Sequence, residues 1–346
     1  MREALLYEKL PASRVQCHTC QWHCKINIGK YGVCGAYQNK DGVLYTLDYG
    51  VVSSLAVDPI EKKPLFHFYP GTLVFSLGSL GCNFHCKHCQ NWQISNADIT
   101  TGKNDCREIQ PDTAVKLAKD NNCSGIAWTY NEPGIWLEYI LDTARLAKEN
   151  GLYTVLVTNG YSSVAALDAM GPYIDAYRVD IKGFSDPFYR NITGIVKWRG
   201  ILEVTKRAKD KWNMHIEVVT NIIPTFNDDD EQLGNIAAWI CDELGELTPW
   251  HVTRFHPAYN LIDLPSTPIS TLDRACEIGK KAGLKFIYVG NVPGHRNETT
   301  VCYSCGKTII ERFGYRTEIT GLEGSHCRFC GAELNIRTGN RDLKRI

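Results

Sequence analysis

Gly81-Cys82-Asn83-Phe84-His85-Cys86-Lys87-His88-Cys89-Gln90-Asn91-Trp92 is the stretch on which the reading of this chain turns. Its cysteines are spaced C-x-x-x-C-x-x-C and follow an apolar run, Leu73–Leu77, that reads as a β-strand. A [4Fe–4S] cube is normally held by four thiolates, one per iron. Cys82, Cys86 and Cys89 supply three, so one iron stays open, and an open metal position marks a reactive site rather than a structural one. The competing reading is a zinc ion completed by His85 or His88, but structural zinc sites favour C-x-x-C knuckles in pairs.

Outward from this loop, short apolar runs alternate with stretches of helical periodicity. The runs are Leu73–Leu77, Ile126–Thr129, Thr154–Val157, Ala176–Asp180, Ile216–Thr220, Val252–Phe255 and Phe286–Val289. Helices are predicted at Ile135–Asn150, Ser163–Met170, Trp198–Lys209, Asp229–Glu243 and Thr271–Ala282. Strands alternating with helices predict right-handed βαβ units and a parallel sheet. The expected fold is α/β, a partial or full (β/α) barrel over residues 71–298. An open doubly wound sheet is the competitor that periodicity does not exclude.

The flanks carry more cysteines. The chain has 346 residues and 15 cysteines, a count that calls for metal binding where thiols stay reduced. Toward the C-terminus, Cys302-x-x-Cys305-Gly306 and Cys327-x-x-Cys330-Gly331 lie twenty-one residues apart, the pattern of a zinc ribbon over residues 299–346. Rubredoxin-like iron is its rival. An N-terminal segment, residues 1–70, holds Cys17-x-x-Cys20-x-x-x-Cys24 and then Cys34-Gly35. These four thiols suit either zinc or an auxiliary Fe–S cluster, with His18 and His23 as substitute ligands, and a site without metal is the third reading. Cys106, Cys123, Cys241 and Cys276 stand alone and read as buried small apolar residues.

Lysine plus arginine equals aspartate plus glutamate at 38 each, so net charge gives no reason to expect nucleic acid or an anionic membrane as a partner. A basic cluster near the C-terminus (Arg337, Arg341, Lys344, Arg345) reads as a solvated tail. No apolar run is long enough to span a bilayer, and Met1–Lys9 lacks a secretory core, which leads us to expect a cytoplasmic protein.

The cluster loop, the strand before it and the downstream βα pattern resemble the radical S-adenosylmethionine (SAM) superfamily, in particular the branch related to pyruvate formate-lyase activating enzymes. The closer similarity is to the AmmeMemoRadiSam family, through Ser53–Pro64 (SSLAVDPIEKKP), Cys89-Gln90-Asn91-Trp92 and Thr129-Tyr130-Asn131-Glu132-Pro133. It extends over nearly the whole chain. The resemblance implies that SAM binds the open iron through its amino and carboxylate groups. It also implies roles for further residues. His88 stands where an aromatic residue touches adenine. Asn131 and Glu132 occupy the motif that receives the SAM amino group, with Tyr130 and Asn131 in place of the usual glycines. Thr158 and Asn159 match a Thr-Asn-Gly motif, with Val157 where activating enzymes carry a cation-binding acid. Asp180 and Lys182 match an Asp-Leu-Lys that reaches the sulfonium or carboxylate. Asn221 lies in the strand that backs the adenine, and His256 is a SAM or substrate contact.

The function so implied is reductive cleavage of SAM to a 5′-deoxyadenosyl radical, which takes hydrogen from a substrate such as a backbone glycine of a protein. A low-potential donor such as flavodoxin or ferredoxin supplies the electron. Two alternatives stand beside it. One transfers a 3-amino-3-carboxypropyl or methyl-derived group from SAM. The other is an RNA- or protein-binding module with a structural cluster.

Overall fold

The computed structural model describes residues 1–339. Arg341, Lys344 and Arg345 of the expected basic tail lie outside the described residues. The centre of the molecule is an eight-stranded sheet. Its strands are β1 (Ser54–Pro59), β2 (Leu73–Gly78), β3 (Gly125–Trp128), β4 (Tyr153–Thr158), β5 (Ala176–Asp180), β6 (His215–Ile222), β7 (Trp250–Arg254) and β8 (Ile287–Gly290). They lie side by side in chain order. From β2 to β8 every pairing is parallel, and β1 closes one edge antiparallel to β2. A doubly wound sheet reverses its strand order at a switch point. This one never does, so right-handed crossovers place the connecting helices on a single face. The winding is that of a (β/α) barrel, and β1 and β8 remain unpaired to each other, so the barrel is partial.

The helices α1 (Pro111–Asp120), α2 (Leu137–Glu149), α3 (Val164–Met170), α4 (Gly200–Asp210), α5 (Asp230–Trp239) and α6 (Ile269–Lys281) form the outer layer. In α2, Leu137, Ile140, Ala144 and Ala147 recur at helical spacing and are buried, and Gly151 follows the helix with φ +71°. Ser163 and Asp229 cap α3 and α5 by accepting from Ala166 N and Gln232 N. Alternation along the strands divides the core. Phe75, Leu77, Ile126, Trp128, Tyr177 and Val179 pack in one large cluster, whereas Val74, Ala127, Val155 and Ala176 pack in another with Ile60, Leu65 and Phe68.

The second cluster shows that residues 60–68 fill the inside of the partial barrel. Deeper there, the fully buried Glu217 carboxylate accepts from His215 Nε2 (3.0 Å), His251 Nε2 (2.7 Å), Phe66 N (3.0 Å) and His67 N (2.8 Å). The cysteine-bearing tail closes over the same region. Arg312 donates to Phe66 O at 2.7 Å, and Cys302, Cys327, Ile309, Ile310 and Leu334 share a core with Phe66, Phe286 and Tyr288. Arg337 corrects the expectation of a solvated tail: it is half-buried and donates to Asn213 O at 2.6 Å. Among the isolated cysteines Cys123 and Cys276 are buried as expected, but Cys106 and Cys241 are partly exposed. Among the described residues no helix is long and apolar enough to cross a membrane.

Candidate active site

The C-terminal ends of the parallel strands surround a polar cleft of about 440 Å³. Barrel sites form at this end because the loops leaving the strands converge there. The loop after β2 brings Cys82, Cys86 and Cys89 to the cleft, and no fourth cysteine lines it. Burial pushes the Cys86 thiol up to about 12 and raises Cys82 as well, so metal capture would release protons from both. Their sulfurs are not gathered within 4.8 Å as for one ion. A cube spreads its thiolates over several irons, so a set of three thiols not gathered for one ion fits a cluster with one iron free.

The loop is held from several sides. Asn131, just after β3, donates to Ser79 Oγ (2.9 Å) and Gly81 O (2.8 Å) and accepts from Ser79 N (3.1 Å). Asn91 donates to Tyr130 O at 2.7 Å. Tyr130 has φ +75°, the left-handed region that glycine adopts freely. Its phenol is tied to Asp58 Oδ2 at 3.0 Å, and the Lys63 ammonium sits 4.7 Å from its ring centre.

Glu132 is buried and organises the end of β4. Its Oε1 accepts from Thr158 Oγ1 and Gly134 N, and Oε2 accepts from Asn159 N, each at 2.7 Å. Burial nevertheless pushes its pKa up to about 7. Asn159 in turn donates to Asn83 Oδ1 at 2.8 Å, and its Nδ2 stands 4.0 Å from Cys82 Sγ. At the end of β5, Asp180 is paired with Arg178 and with Lys182 Nζ at 2.8 Å. Burial opposes its charge, but the two cations hold the carboxyl below its ordinary range. His88 is buried and lowered to about 3 by burial and by Lys182, so its imidazole is neutral. His88 lines the cleft, and its Nδ1 is a buried atom with no hydrogen-bond partner among the described residues, so it asks for one.

Eight of the nine residues assigned to SAM by resemblance therefore line one cleft, Asn221 on β6 included, where it donates to Thr253 Oγ1 at 3.1 Å. His256 is the exception and corrects that expectation. It is exposed, pairs with Ser266 Oγ at 3.2 Å and does not line the cleft, because the chain turns outward after Phe255. The sequence reading gave no role to Lys62, Lys63, Tyr130, Arg178 or Tyr315, which also line it. Lys62 and Lys63 both bond Asp58, at 2.8 and 2.6 Å. The signal was present in the Asp58-x-x-x-Lys62-Lys63 text, but it points nowhere until β1 is placed beside β2.

In the tail, the ligand atoms of Cys302, Cys305, Cys327 and Cys330 all lie within 4.8 Å. Cys302–Cys330 and Cys305–Cys327 are each separated by 3.7 Å. Four thiolates about 2.3 Å from a tetrahedral zinc would stand about 3.8 Å apart, so the four sulfurs suit one tetrahedral ion.

Residues 77–240 match the family described as the Radical SAM superfamily. The chain is 46% identical over 338 residues to an uncharacterised protein of Methanocaldococcus jannaschii, covering 97% of this chain and 99% of that one. It is 25% identical over 206 residues to the pyruvate formate-lyase-activating enzyme of Clostridium pasteurianum, covering 56% of this chain and 82% of that enzyme. To the pyruvate formate-lyase 1-activating enzyme of Escherichia coli K12 it is 23% identical over 223 residues, covering 60% and 89% respectively.

Proposed function

The chain belongs to the radical SAM superfamily, and from that premise we propose that it reductively cleaves SAM in the cleft above β2–β7 and directs the resulting radical at a carbon-bound hydrogen of its substrate. The observation that carries this reading is the convergence of three cysteines, without a fourth among the described residues, on a cleft lined by the buried Glu132 and Asn159 and the half-buried Asp180 and Lys182. When bound, the cluster and SAM supply the chemistry: one electron from the reduced cube breaks a C–S bond of the sulfonium, giving methionine and a 5′-deoxyadenosyl radical.

The residues of the chain position and shield. Lys182 Nζ, held by Asp180, offers a cation to the SAM carboxylate. Glu132 accepts from Thr158 Oγ1 and the Asn159 backbone N–H and so fixes the strand end that would face the amino group. Neutral His88 lines the cleft beside the cysteines, with an unpartnered nitrogen for the adenine to satisfy on binding. The lysines on Asp58 and Tyr130 line the remainder of the cleft, where a substrate would enter. The relatives named pyruvate formate-lyase-activating enzymes act, by that name, on an enzyme. A backbone glycine of a protein is accordingly the substrate we assign, with a flavodoxin- or ferredoxin-type donor of the electron. The tail cysteines would hold zinc, since their sulfur spacing fits a closed tetrahedron.

The test is product analysis after dithionite reduction with SAM. 5′-Deoxyadenosine is expected. Methylthioadenosine in its place would overturn the reading in favour of 3-amino-3-carboxypropyl transfer.

A further inference from the structure

We propose that Cys17, Cys20, Cys24 and Cys34 bind a second Fe–S cube, fully ligated by thiolate, against the back of the Cys82 loop. Three observations carry this. First, the four side chains form one group. Cys17, Cys24 and Cys34 share an apolar core with Val15, Ile26 and Tyr37. Cys34 is half-buried and lies near enough to the thiols of Cys20, Cys17 and Cys24 to feel their charge. The backbone closes the group, with Cys17 N donating to Cys24 O at 3.0 Å.

Second, the group is not gathered as for a single ion. Within the same molecule the tail cysteines contract to 3.7 Å, the spacing of a single tetrahedral ion. Among the described residues they are the only set that brings three or more ligand atoms within 4.8 Å. The N-terminal four stay outside that limit, as do Cys82, Cys86 and Cys89. A cube separates its thiolates because each binds a different iron, whereas zinc draws all four to one centre. Of the two metals the sequence left open, the lack of single-ion gathering favours the cluster.

Third, the neighbourhood is built for one. Asn83 lies between the two cysteine groups. Its side chain is fully buried, its Oδ1 accepts from Asn159, and its Nδ2 has no hydrogen-bond partner while lying beside the Cys20 thiol. N–H groups aimed at cluster sulfur tune cluster potentials, and an unused buried donor at that place asks for an acceptor. The backbone contacts are equally close. Trp22 Nε1 donates to Asn83 O at 2.8 Å, Cys20 pairs with Ser162 beyond β4, and a Cβ on Gly81 would meet Cys34 O at 2.4 Å. The two cubes would thus stand on either side of a boundary to which Asn83 belongs. A cube with four thiolates has no free iron for SAM, so this one is an electron-transfer or anchoring centre.

Occupancy of this site does not depend on the function proposed above; only its pairing with an open cube does. The test uses the full chain, purified anaerobically and reconstituted with ferrous iron and sulfide. The wild-type protein should hold about eight irons and eight sulfides, two cubes' worth, with zinc in the tail alone. The triple variant Cys82→Ala/Cys86→Ala/Cys89→Ala should keep about four of each, with a reduced EPR signal that SAM leaves unchanged. The double variant Cys20→Ala/Cys34→Ala should keep the other cube, whose signal SAM does change, and retain its zinc. A triple variant devoid of iron and sulfide overturns the proposal, as does a wild-type protein with a second zinc in place of the second cube. If the double variant does not fold, the triple variant decides alone. Failure of the proposed function would show separately, as a Cys82 cube indifferent to SAM with the N-terminal cube intact.

Discussion

Glu132 concentrates more of the site than any other single side chain. One carboxylate accepts three hydrogen bonds from two successive strand ends, at Gly134, Thr158 and Asn159. Its burial costs stability unless every oxygen is used, and here both are. Glu132→Gln keeps the shape but turns an NH2 group toward one of the donors. Charge-assisted hydrogen bonds are worth about 1.5–3 kcal/mol, so SAM affinity should weaken at least about tenfold. Isothermal titration of the reconstituted enzyme would measure this, and iron content should not change, because Glu132 ligates nothing. Unchanged affinity would remove Glu132 from the SAM site. At the same scale, His88 shows how far a motif position can be read. Its place before Cys89 was legible, but its neutrality was not, because that depends first on burial in the folded cleft and then on Lys182, just beyond β5.

At the scale of elements, the cluster loop is defined by what packs behind it. Gly81 has φ +81°, and an added Cβ would lie 2.4 Å from the carbonyl oxygen of Cys34, a backbone atom that has no room to yield. A left-handed alanine costs about 1–2 kcal/mol, and the overlap adds to it by pushing the N-terminal segment off the loop. Gly81→Ala should therefore lower the iron retained by the reconstituted protein. Gly29→Ala is the control. It shares a positive φ of +72° but meets nothing within 4 Å, so it should lose only about 1 kcal/mol and no iron. Equal iron in both variants would show that the contact between segment and loop is dispensable. The βα elements themselves were legible, since their apolar periods and caps are local. Gly81 was not, since its neighbour Cys34 is distant in sequence.

For the whole molecule, the decisive feature is the floor of the barrel. Glu217 ties β6 to β7 and to residues 66–67, while Arg312 and Leu334 bring the tail onto the same layer through Phe66 and His67. Burial opposes its charge, but the hydrogen bonds from His215 and His251 hold the Glu217 carboxyl well below its ordinary 4.5. A depressed carboxylate contributes stability that is present above the unfolded pKa and is lost as pH falls toward the folded one. Glu217→Ala should cost about 3–5 kcal/mol at neutral pH, the effect of breaking a buried charged network, seen as a lower denaturant midpoint. The deficit should shrink as pH falls below about 4.5, because the wild-type carboxylate loses its advantage there. A deficit independent of pH would mean that packing, not charge, holds the floor.

The sequence by itself determined the reaction class, the order of strands and helices, and the knuckles of the tail. Each is written in spacing over a few residues: C-x-x-x-C-x-x-C, C-x-x-C-Gly, a period of two or of about 3.6. Tertiary structure decided the rest. It chose a partial barrel over a closed one, because whether β1 meets β8 depends on pairing across more than two hundred residues. It put His256 outside the cleft and Lys63 inside it. It brought Arg337 down onto the barrel, where the text read as a free tail. It also gathered the tail thiols as for one ion, which it did not do for the N-terminal ones. Spacing along a chain says which side chains can share a metal, but the distance between their sulfurs, which distinguishes one ion from a cube, exists only once the chain has folded.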